Sequence, residues 1–508
     1  MDSDPGKRRA WLGVALVICL LAFAFQGTRG LWEPDEGFYT NPALDMLRSG
    51  DWWLPRLNGE PFLDKPPLVY WSIAGGMRLL GANEWGARAV HALWYLGTAL
   101  VVGLLGARWW GRRTGLLASL VYATSLAPFL AANVLTPDTP LAFFATLSYY
   151  AYWRLEEHEA PAARISWSRI SWPRISWGGA LGAALGLGAL AKGPAILVLG
   201  APLGVVTLLR RRRLGRWLGD PGYVTAGIVF VAFAVPWYLL MATKLPGAAS
   251  YLFDNQVLGR LATSDYARNA TGFAGLEVYL PVLLFGTLPW NLLWARRAAG
   301  GLRFPRLSLA GIRSRPVALL LAAWLLLPLA VFCAARSRLP LYILPLFAPL
   351  SLVFARGLTS GEQPRPRARA WFLGWLLVLL ALKGTLGVMP YAKDCRHLAD
   401  ELDHLGVSAS VLVVLVDIQG NALPLYGFSN VEQVTVSKHR YPFYRLTETF
   451  TEEVEEIVSD GDGRALVVAP ARLPEVTHAL TGAGILFTTR ALAEAQYLLV
   501  VVEPQKRG

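Results

Sequence analysis

Apolar segments long enough to cross a lipid bilayer recur along the chain from its first residues to about residue 390, with polar stretches between them. A helix needs about 20 apolar residues to cross the hydrocarbon, so the pattern predicts about eleven membrane-spanning helices, with an upper limit of roughly thirteen. The predicted spans lie near residues 10–26, 86–107, 115–133, 138–155, 179–191, 194–209, 222–243, 278–295, 316–335, 340–357 and 370–388.

The composition agrees with a polytopic α-helical membrane protein. Hydrophobic residues make up 54% of the 508-residue chain, charged residues make up only 16%, and the mean hydropathy is +0.39. The net charge of +13 does not indicate a nucleic-acid partner, because the arginines cluster between apolar segments, where membrane topology explains them. Two of the three cysteines lie in apolar runs, so neither a disulfide framework nor a cysteine metal site is expected.

The basic clusters predict the orientation of the chain in a bacterial cytoplasmic membrane. All of them fall on one side if the N-terminus is inside, and the positive-inside rule makes that side cytoplasmic. The first apolar segment is interpreted as a retained anchor because no cleavage pattern follows it. The clusters are Lys7–Arg9, Arg108 to Arg113, Arg164 to Arg174, Arg210–Arg213, Arg296 to Arg315 and Arg365 to Arg369. Residues 27–85, 134–137, 244–277, 336–339 and those after about 389 then face outward.

The sequence divides into two predicted domains, a transmembrane domain at 1–389 and a soluble, outward-facing α/β domain at 390–508. After Pro390 charged residues reappear and the apolar runs shorten to strand length. Strands are predicted at 411–416, 431–436, 465–468 and 497–502, and helices at 394–405, 450–459 and 474–481. At about 115 residues the segment has a normal size for one domain.

The outer loop 27–85 is long enough to carry function. Short amphipathic helices are predicted to begin at Pro42 and Pro67 and to lie along the membrane surface. The loop contains Asp35, and a second acid, Asp138, precedes a later span on the same face. Two carboxylates that meet at a membrane edge predict a catalytic pocket for a lipid-borne substrate. The alternative is that each aspartate caps the helix that follows it.

Several motifs occur in the same order as in a known family. The chain resembles the GT-C glycosyltransferases over about residues 10–350, and in particular the bacterial aminoarabinose transferase and protein-mannosyltransferase-like group. The motifs are Asp35–Tyr39, Ser49–Trp52, Pro55–Gly59, Asp64–Trp71, Asn83-Glu84 with Ala87-Arg88, Thr136–Asp138, Lys192–Pro194, Tyr279–Pro281 with Leu288–Trp290, and Ser337–Phe347. The resemblance implies an enzyme that moves a sugar from a polyprenyl phosphate to an acceptor, usually with inversion.

The resemblance also implies roles for individual residues. Asp35 matches the catalytic acid motif and is expected to act as a base, with Glu36 as a weaker candidate, whereas Asp138 would bind hydroxyls or help to hold a metal. Because negative charge grows on the lipid phosphate as the glycosidic bond breaks, cations at that phosphate favour the transition state. The expected cations are Lys65, Arg260, Arg336, Arg338 and Lys192, and the residues expected to line a lipid groove are Tyr342 and Tyr70.

Several alternatives stay open in the sequence. No ligand set for a cofactor is evident, although a divalent metal is not excluded. The sugar and the acceptor, whether lipid A, a protein hydroxyl or a glycan, are not specified. A flippase for the lipid-linked sugar is the alternative function; transporters often show repeated halves, and this chain shows no such repeat. A third hypothesis is a scaffold without catalytic activity.

Overall fold

Helices form most of the protein before residue 390. The computed structural model describes residues 5–158, 172–211, 219–252, 269, 274–299, 315–360, 367–389, 391, 393–436, 448–492 and 497–504. The helices of this part are α1 (Pro5–Phe23), α2 (Asp35–Ser49), α3 (Leu68–Leu80), α4 (Glu84–Trp110), α5 (Arg112–Thr124), α6 (Leu126–Ala131), α7 (Asp138–Glu157), α8 (Trp172–Lys192), α9 (Ala195–Arg211), α10 (Pro221–Lys244), α11 (Ala274–Gly286), α12 (Trp290–Ala299), α13 (Pro316–Ala334), α14 (Phe347–Thr359) and α15 (Arg367–Leu386). A 3-10 helix, Pro340–Leu346, leads into α14.

Among the described residues, four helical segments are long and apolar enough to cross a membrane. They are α4, α10, α13 and the continuous segment Pro340–Thr359. The bent pair Gly275–Gly286 and Trp290–Ala299, with 83° between its halves, would be a fifth. Helices also lie at the other predicted spans, but each of them is shorter or less apolar than these segments. The structure therefore agrees with a multi-pass helical membrane protein, and the count of about eleven spans stays a prediction.

Close backbone contact between α8 and α10 shapes one side of the bundle. A Cβ atom added at Gly178 would lie 2.1 Å from the carbonyl oxygen of Gly222, and one at Gly182 would lie 2.2 Å from that of Ala226. Small residues are favoured at such contacts in membranes because they let two helices approach closely. This contact holds α8 beside α10, and α8 ends at Lys192, one of the candidate site residues.

The strands of the C-terminal domain are β3 (Leu412–Val416), β4 (Val431–Thr435), β5 (Glu448–Thr449), β6 (Arg464–Val468), β7 (Phe487–Leu492) and β8 (Tyr497–Val502), and its helices are α16 (Cys395–His404), α17 (Phe450–Asp460) and α18 (Leu473–Gly482). The strands form one six-stranded sheet in the order β5-β4-β3-β6-β8-β7. Strands β5, β4, β3 and β6 run parallel to one another, whereas β8 runs antiparallel to both β6 and β7. The sequence missed β5, which has two residues, and β7, four of whose six residues are exposed.

The loop 27–85 differs from its predicted arrangement along the membrane surface. Helix α2 begins at Asp35 rather than at Pro42, and it shares a hydrophobic core with the C-terminal domain. That core contains Leu44 and Met46 of α2 together with Leu398 and Leu415. A short hairpin of β1 (Arg56–Leu57) and β2 (Glu60–Pro61) separates α2 from α3. The apolar residues of α2 thus pack against protein, where the sequence pattern alone suggested lipid.

Candidate active site

Asp35 is exposed at the first residue of α2, at one end of the helical bundle. The N-cap position of this helix is Pro34, so Asp35 is not the N-cap residue that the structural alternative proposed. Asp138 likewise is the first residue of α7, behind Pro137 at the N-cap. Both N-cap residues are prolines, so neither aspartate is the N-cap residue of its helix. Each carboxylate still lies in the first turn, where negative charge is favourable to the helix dipole.

Glu36, next to Asp35, is completely buried between two arginines. Its carboxylate lies 2.5 Å from Nη1 of Arg29 and 2.8 Å from Nη2 of Arg88. Burial alone would raise the pKa of Glu36, but the charges and hydrogen bonds of the two arginines hold that pKa well below its usual value. A carboxylate in this setting stays ionised, and its oxygens are occupied by donors.

The Glu36 carboxylate also connects the segment before Asp35 with the segment before Asp138. The backbone N–H of Leu135 donates to Glu36 Oε1 at 3.3 Å, and Arg29 also donates to the carbonyl oxygen of Asn133. These bonds fix residues 133–135 against the start of α2. The two candidate aspartates therefore stand on adjoining segments at the same end of the bundle.

A second group of side chains forms around Asp138, which is 5% exposed. Lys192 Nζ, at the end of α8, lies 2.5 Å from Oδ1 of Asp138. The same ammonium lies 4.2 Å from the centre of the Tyr342 ring, on the 3-10 helix Pro340–Leu346. An ammonium over an aromatic face is attracted by the electron density of the ring. Three separate elements thus bring together an acid, a cation and an aromatic ring that the sequence had singled out one by one.

Lys65 is buried beside this group. Its ammonium contacts the carboxylate of Asp64 and donates to the carbonyl oxygen of Asp64 at 3.1 Å. Gly193, the residue after Lys192, has a φ of +62°, and a Cβ atom there would lie 4.0 Å from Cγ of Pro66. The turn that carries Lys65 and the turn that follows Lys192 are therefore neighbours.

The remaining predicted residues occupy varied positions. Arg338 is buried and donates through Nη1 to the carbonyl oxygen of Asn269 at 2.9 Å, while its Nε has no hydrogen-bond partner among the described residues. Arg336 is exposed on the same segment. Tyr70 is 0% exposed, so its place in a lipid groove stays a prediction. Arg260 lies outside the described residues.

No metal-ligand set is found at this end of the bundle within the described part of the chain. The one group of acidic side chains with oxygens close enough to share an ion is Glu432, Glu453 and Glu456, in the C-terminal domain. Glu453 there also accepts a hydrogen bond from Arg464 at 3.0 Å. Whether Asp138 helps to hold a metal stays an open prediction.

The sequence analysis missed two residues beside the candidate site, Arg29 and Glu33. Glu33 is buried, and burial raises its pKa to about 8. The feature of the sequence that relates to Glu33 is the glycine at position 37. A side chain there would clash with the Glu33 carboxyl group, because a Cβ atom would lie 2.1 Å from Oε1. For Arg29, the first arginine after the first span, no spacing rule predicts its pairing with Glu36.

Comparisons with known proteins agree with the resemblance seen in the motifs. The family model described as dolichyl-phosphate-mannose-protein mannosyltransferase matches residues 9–252. Undecaprenyl phosphate-α-4-amino-4-deoxy-L-arabinose arabinosyl transferase 1 of Pseudomonas fluorescens is 29% identical over 421 residues, which is 82% of this chain and 69% of the relative. The transferase of the same name from Aeromonas salmonicida is 28% identical over 417 residues, 80% of this chain and 70% of the relative. These relatives are named as transferases and do not support the flippase alternative.

Solved structures show the same fold. ArnT from Cupriavidus metallidurans, bound to undecaprenyl phosphate, has a TM-score of 0.76 at 20% identity and covers 97% of this chain and 98% of its own. The oligosaccharyltransferase of Archaeoglobus fulgidus tethered to an acceptor peptide has a TM-score of 0.52 at 13% identity and covers 96% of this chain and 69% of its own. The relatives and the fold together support the class, a membrane glycosyltransferase that uses a lipid-phosphate sugar donor. Within that class, the chain resembles the aminoarabinose transferases and the protein mannosyltransferases.

Proposed function

We propose that this enzyme transfers a monosaccharide from an undecaprenyl-phosphate-linked donor to an acceptor, with inversion, at the outer face of the bacterial cytoplasmic membrane. The observation that supports this function best is the convergence at one end of the bundle. The segment with Asp35, the Asp138–Lys192 pair and the turn with Lys65 adjoin there. A lipid-borne donor reaches such a site from the bilayer, and its sugar extends toward the exposed carboxylate.

The cations are proposed to bind the donor phosphate. Negative charge develops on that phosphate as the glycosidic bond breaks, so a fixed ammonium or guanidinium stabilises the transition state more than the ground state. Lys65 is the first candidate because it is buried beside the Lys192 turn. Arg338 is the second, since its buried Nε has no partner among the described residues. Arg336 and Lys192 would add positive charge around the leaving group.

Asp35 is proposed to take the proton of an acceptor hydroxyl as that oxygen attacks the anomeric carbon. It is exposed, as a base that meets an incoming acceptor must be. If the acceptor is itself a phosphate, as on lipid A, no base is needed and Asp35 orients the substrate. Glu36, completely buried between Arg29 and Arg88, is proposed to hold the start of α2 in place and not to react. Asp138 is proposed to orient sugar or acceptor hydroxyls with Lys192 as its partner.

The proposed sugar is a pentose or a hexose; the relatives are named for a pentose, 4-amino-4-deoxy-L-arabinose. The proposed acceptor is lipid A, a protein or a glycan. Mass spectrometry of envelope lipids and glycans from cells with and without the protein tests both. We expect one glycosylated species to be absent from cells that lack the protein. The mass difference between this species and its unmodified form identifies the sugar, and the mass of the unmodified form identifies the acceptor. The N-terminus is proposed to lie in the cytoplasm, with the site and the C-terminal domain outside, which cysteine labelling in intact cells would check.

The substitution Asp35→Asn tests the catalytic assignment. We expect it to abolish transfer by the purified protein in nanodiscs, while the variant keeps its melting temperature and still binds undecaprenyl phosphate. Glu60→Gln is the matched control, because Glu60 is an exposed acid of the same outer loop. Normal turnover by Asp35→Asn would refute the assignment of Asp35 as a base or an essential substrate-orienting group.

A further inference from the structure

The backbone that leads into Asp35 is held by the C-terminal domain. The N–H of Cys395 donates to the carbonyl oxygen of Leu31 at 2.9 Å, and the N–H of Glu33 donates to that of Lys393 at 2.8 Å. The N–H of Leu31 donates in turn to the hydroxyl of Tyr426 at 2.9 Å. Residues of a domain more than 350 positions away in the chain thus fix the segment directly before the candidate base.

The Glu33 carboxyl group continues this contact through its side chain. Its Oε1 accepts a hydrogen bond from the backbone N–H of Ala422 at 2.8 Å, and Asn421 Nδ2 lies 3.4 Å from Oε2. On its other side the carboxyl group lies against Gly37, where a Cβ atom would be 2.1 Å from Oε1. The carboxyl group of Glu33 therefore lies between the C-terminal domain and the first turn of α2. Glu33 is two positions before Asp35 in the chain, and Gly37 is two positions after it.

The place of contact on the C-terminal domain is the edge where α/β sheets of this kind bind ligands. From β3 the chain proceeds to β4 and β5 on one side and then returns to β6 on the other, so the order reverses between β3 and β6. Open α/β sheets bind ligands outside the carboxyl ends of the strands at such a point. Here the loop after β3 contains Asn421 and Ala422, and it binds Glu33 of the same chain.

We propose that Glu33 is a positioning residue, through which the C-terminal domain holds Asp35 in its reactive orientation. The domain is then part of the catalytic unit, and its ligand edge is occupied by the enzyme's own loop. This inference rests on the proposed function of Asp35, because positioning is useful only if that carboxylate acts on the substrate. A small displacement of a catalytic group lowers turnover strongly even when substrate still binds.

The chemistry of the contact predicts which substitution is tolerated. Because burial raises the pKa of Glu33 to about 8, the group is mostly protonated and uncharged near pH 7. Glutamine has the same length, is uncharged and keeps an oxygen that accepts the N–H of Ala422, but its NH2 group cannot accept from Asn421 Nδ2. Glu33→Gln should therefore preserve the shorter bond to Ala422 and lose only the 3.4 Å contact with Asn421. Glu33→Ala removes the acceptor and leaves the buried N–H unsatisfied.

The experiment compares four variants of the full-length protein in nanodiscs: Glu33→Ala, Glu33→Gln, Gly37→Ala and Arg48→Ala. Gly37→Ala displaces the same carboxyl group from its other side. Arg48→Ala is the matched control, because Arg48 donates to the carbonyl oxygen of Pro424 at 3.0 Å and so contacts the same domain from the far end of α2. The measurements are amide hydrogen exchange over residues 34–40, binding of undecaprenyl phosphate, and kcat and KM for sugar transfer.

We expect Glu33→Ala and Gly37→Ala to speed exchange over residues 34–40 and to lower kcat about ten-fold or more, with KM for the donor and binding of undecaprenyl phosphate nearly unchanged. Glu33→Gln and Arg48→Ala should behave like the parent protein in all three measurements. Wild-type exchange and kcat in Glu33→Ala would overturn the proposal. So would a loss in Arg48→Ala as large as that in Glu33→Ala, or a loss in Glu33→Gln as large as that in Glu33→Ala.

The proposed function and this inference fail in different ways. If the parent protein transfers no sugar from any undecaprenyl-phosphate donor, the proposed function is wrong, and with it the catalytic value of positioning Asp35. If the parent protein is active and Glu33→Ala is equally active with unchanged exchange, only the role of Glu33 is wrong. Should Glu33→Ala not fold, Gly37→Ala measures the same displacement without removing the acceptor.

Discussion

At the scale of single residues, several buried charged groups near the candidate site contact side chains of opposite charge. Glu36 is shared by two arginines, Asp138 is paired with Lys192, and Lys65 contacts Asp64. A charge taken out of water needs a partner of opposite sign, and the loss of one partner costs more than the loss of both. Lys65 and Lys192 each contact a carboxylate in the described structure, so under the proposed mechanism a donor phosphate would compete with that carboxylate for the ammonium.

The Asp138–Lys192 pair offers a test that separates stability from catalysis. Each single substitution, Asp138→Asn or Lys192→Gln, leaves one buried charge without its partner and should destabilise the protein by roughly 3 kcal/mol. The double substitution removes both charges and should restore much of the melting temperature. It should not restore transfer, because neither the acid nor the cation remains. Thermal unfolding and turnover of the three variants measure this, and a fully active double variant would show the pair to be only structural.

The sequence predicted candidate residues for the chemistry but not how they are paired. Asp35, Asp138, Lys65 and Lys192 were all visible as ionisable groups in motifs or at the ends of apolar runs. The pairing of Lys192 with Asp138, 54 residues apart, depends on how α7 and α8 pack. Nothing in the local pattern specifies such a tertiary contact.

At the scale of secondary-structure elements, the contact of α8 with α10 positions Lys192. Gly182→Ala places a methyl carbon 2.2 Å from the carbonyl oxygen of Ala226, closer than two such atoms can approach, so it should separate the two helices and lower both the melting temperature and the turnover. Gly179→Ala on the same helix is the control, because its Cβ atom would lie 3.9 Å from Thr225, at ordinary contact distance. That control should be neutral or slightly stabilising, since alanine favours helix by about 1 kcal/mol over glycine. Equal melting temperatures for the two variants would contradict this account.

Hydrophobic periodicity predicted the elements with buried apolar runs and missed those without them. Strands β3, β4, β6 and β8 lie close to their predicted positions because each is rich in valine or leucine. Strand β7, Phe-Thr-Thr-Arg-Ala-Leu, pairs with β8 alone and lies at the edge of the sheet, where polar side chains face solvent. Helix α2 begins earlier than expected because the acids at its start, Asp35 and Glu36, suit a helix N-terminus.

At the scale of the whole molecule, the loop 27–85 and the C-terminal domain share one hydrophobic core. Leu31 and Leu44 of the loop lie in the same buried cluster as Leu398 and Leu415 of the domain. The sequence boundary near residue 390 marks a change in composition, but apolar residues on both sides of it share a core. Composition shows where a chain changes from mostly apolar to mixed residues, but it does not show which distant segments pack together. The position of the candidate base therefore depends on a domain that the motifs do not include.

This dependence on the C-terminal domain predicts how stability changes with pH. The pKa of Glu33 is raised from 4.5 in a solvated glutamate to about 8 in the folded protein, so between these values the folded state binds more protons than the unfolded state. Stability from this group is then highest below about pH 4.5 and falls as the pH rises to about 8, where the carboxyl group must ionise without solvent. Glu453, whose pKa is raised by burial to about 7, adds a trend of the same sign, so the wild-type curve alone does not isolate Glu33.

Glu33→Gln isolates the contribution, because it removes the ionisation of Glu33 and leaves Glu453 in place. The melting temperatures of the wild type and of Glu33→Gln should be similar at pH 5 and should diverge as the pH rises to 9, with Glu33→Gln the more stable protein at the alkaline end. The pKa of Glu36, which is lowered, affects stability only at more acidic pH and does not enter this window. Parallel curves from pH 5 to 9 would mean that Glu33 titrates in the folded protein as it does in water. The contact with Ala422 would then lie in a solvated setting, and the C-terminal domain would hold the segment before Asp35 by its backbone bonds alone.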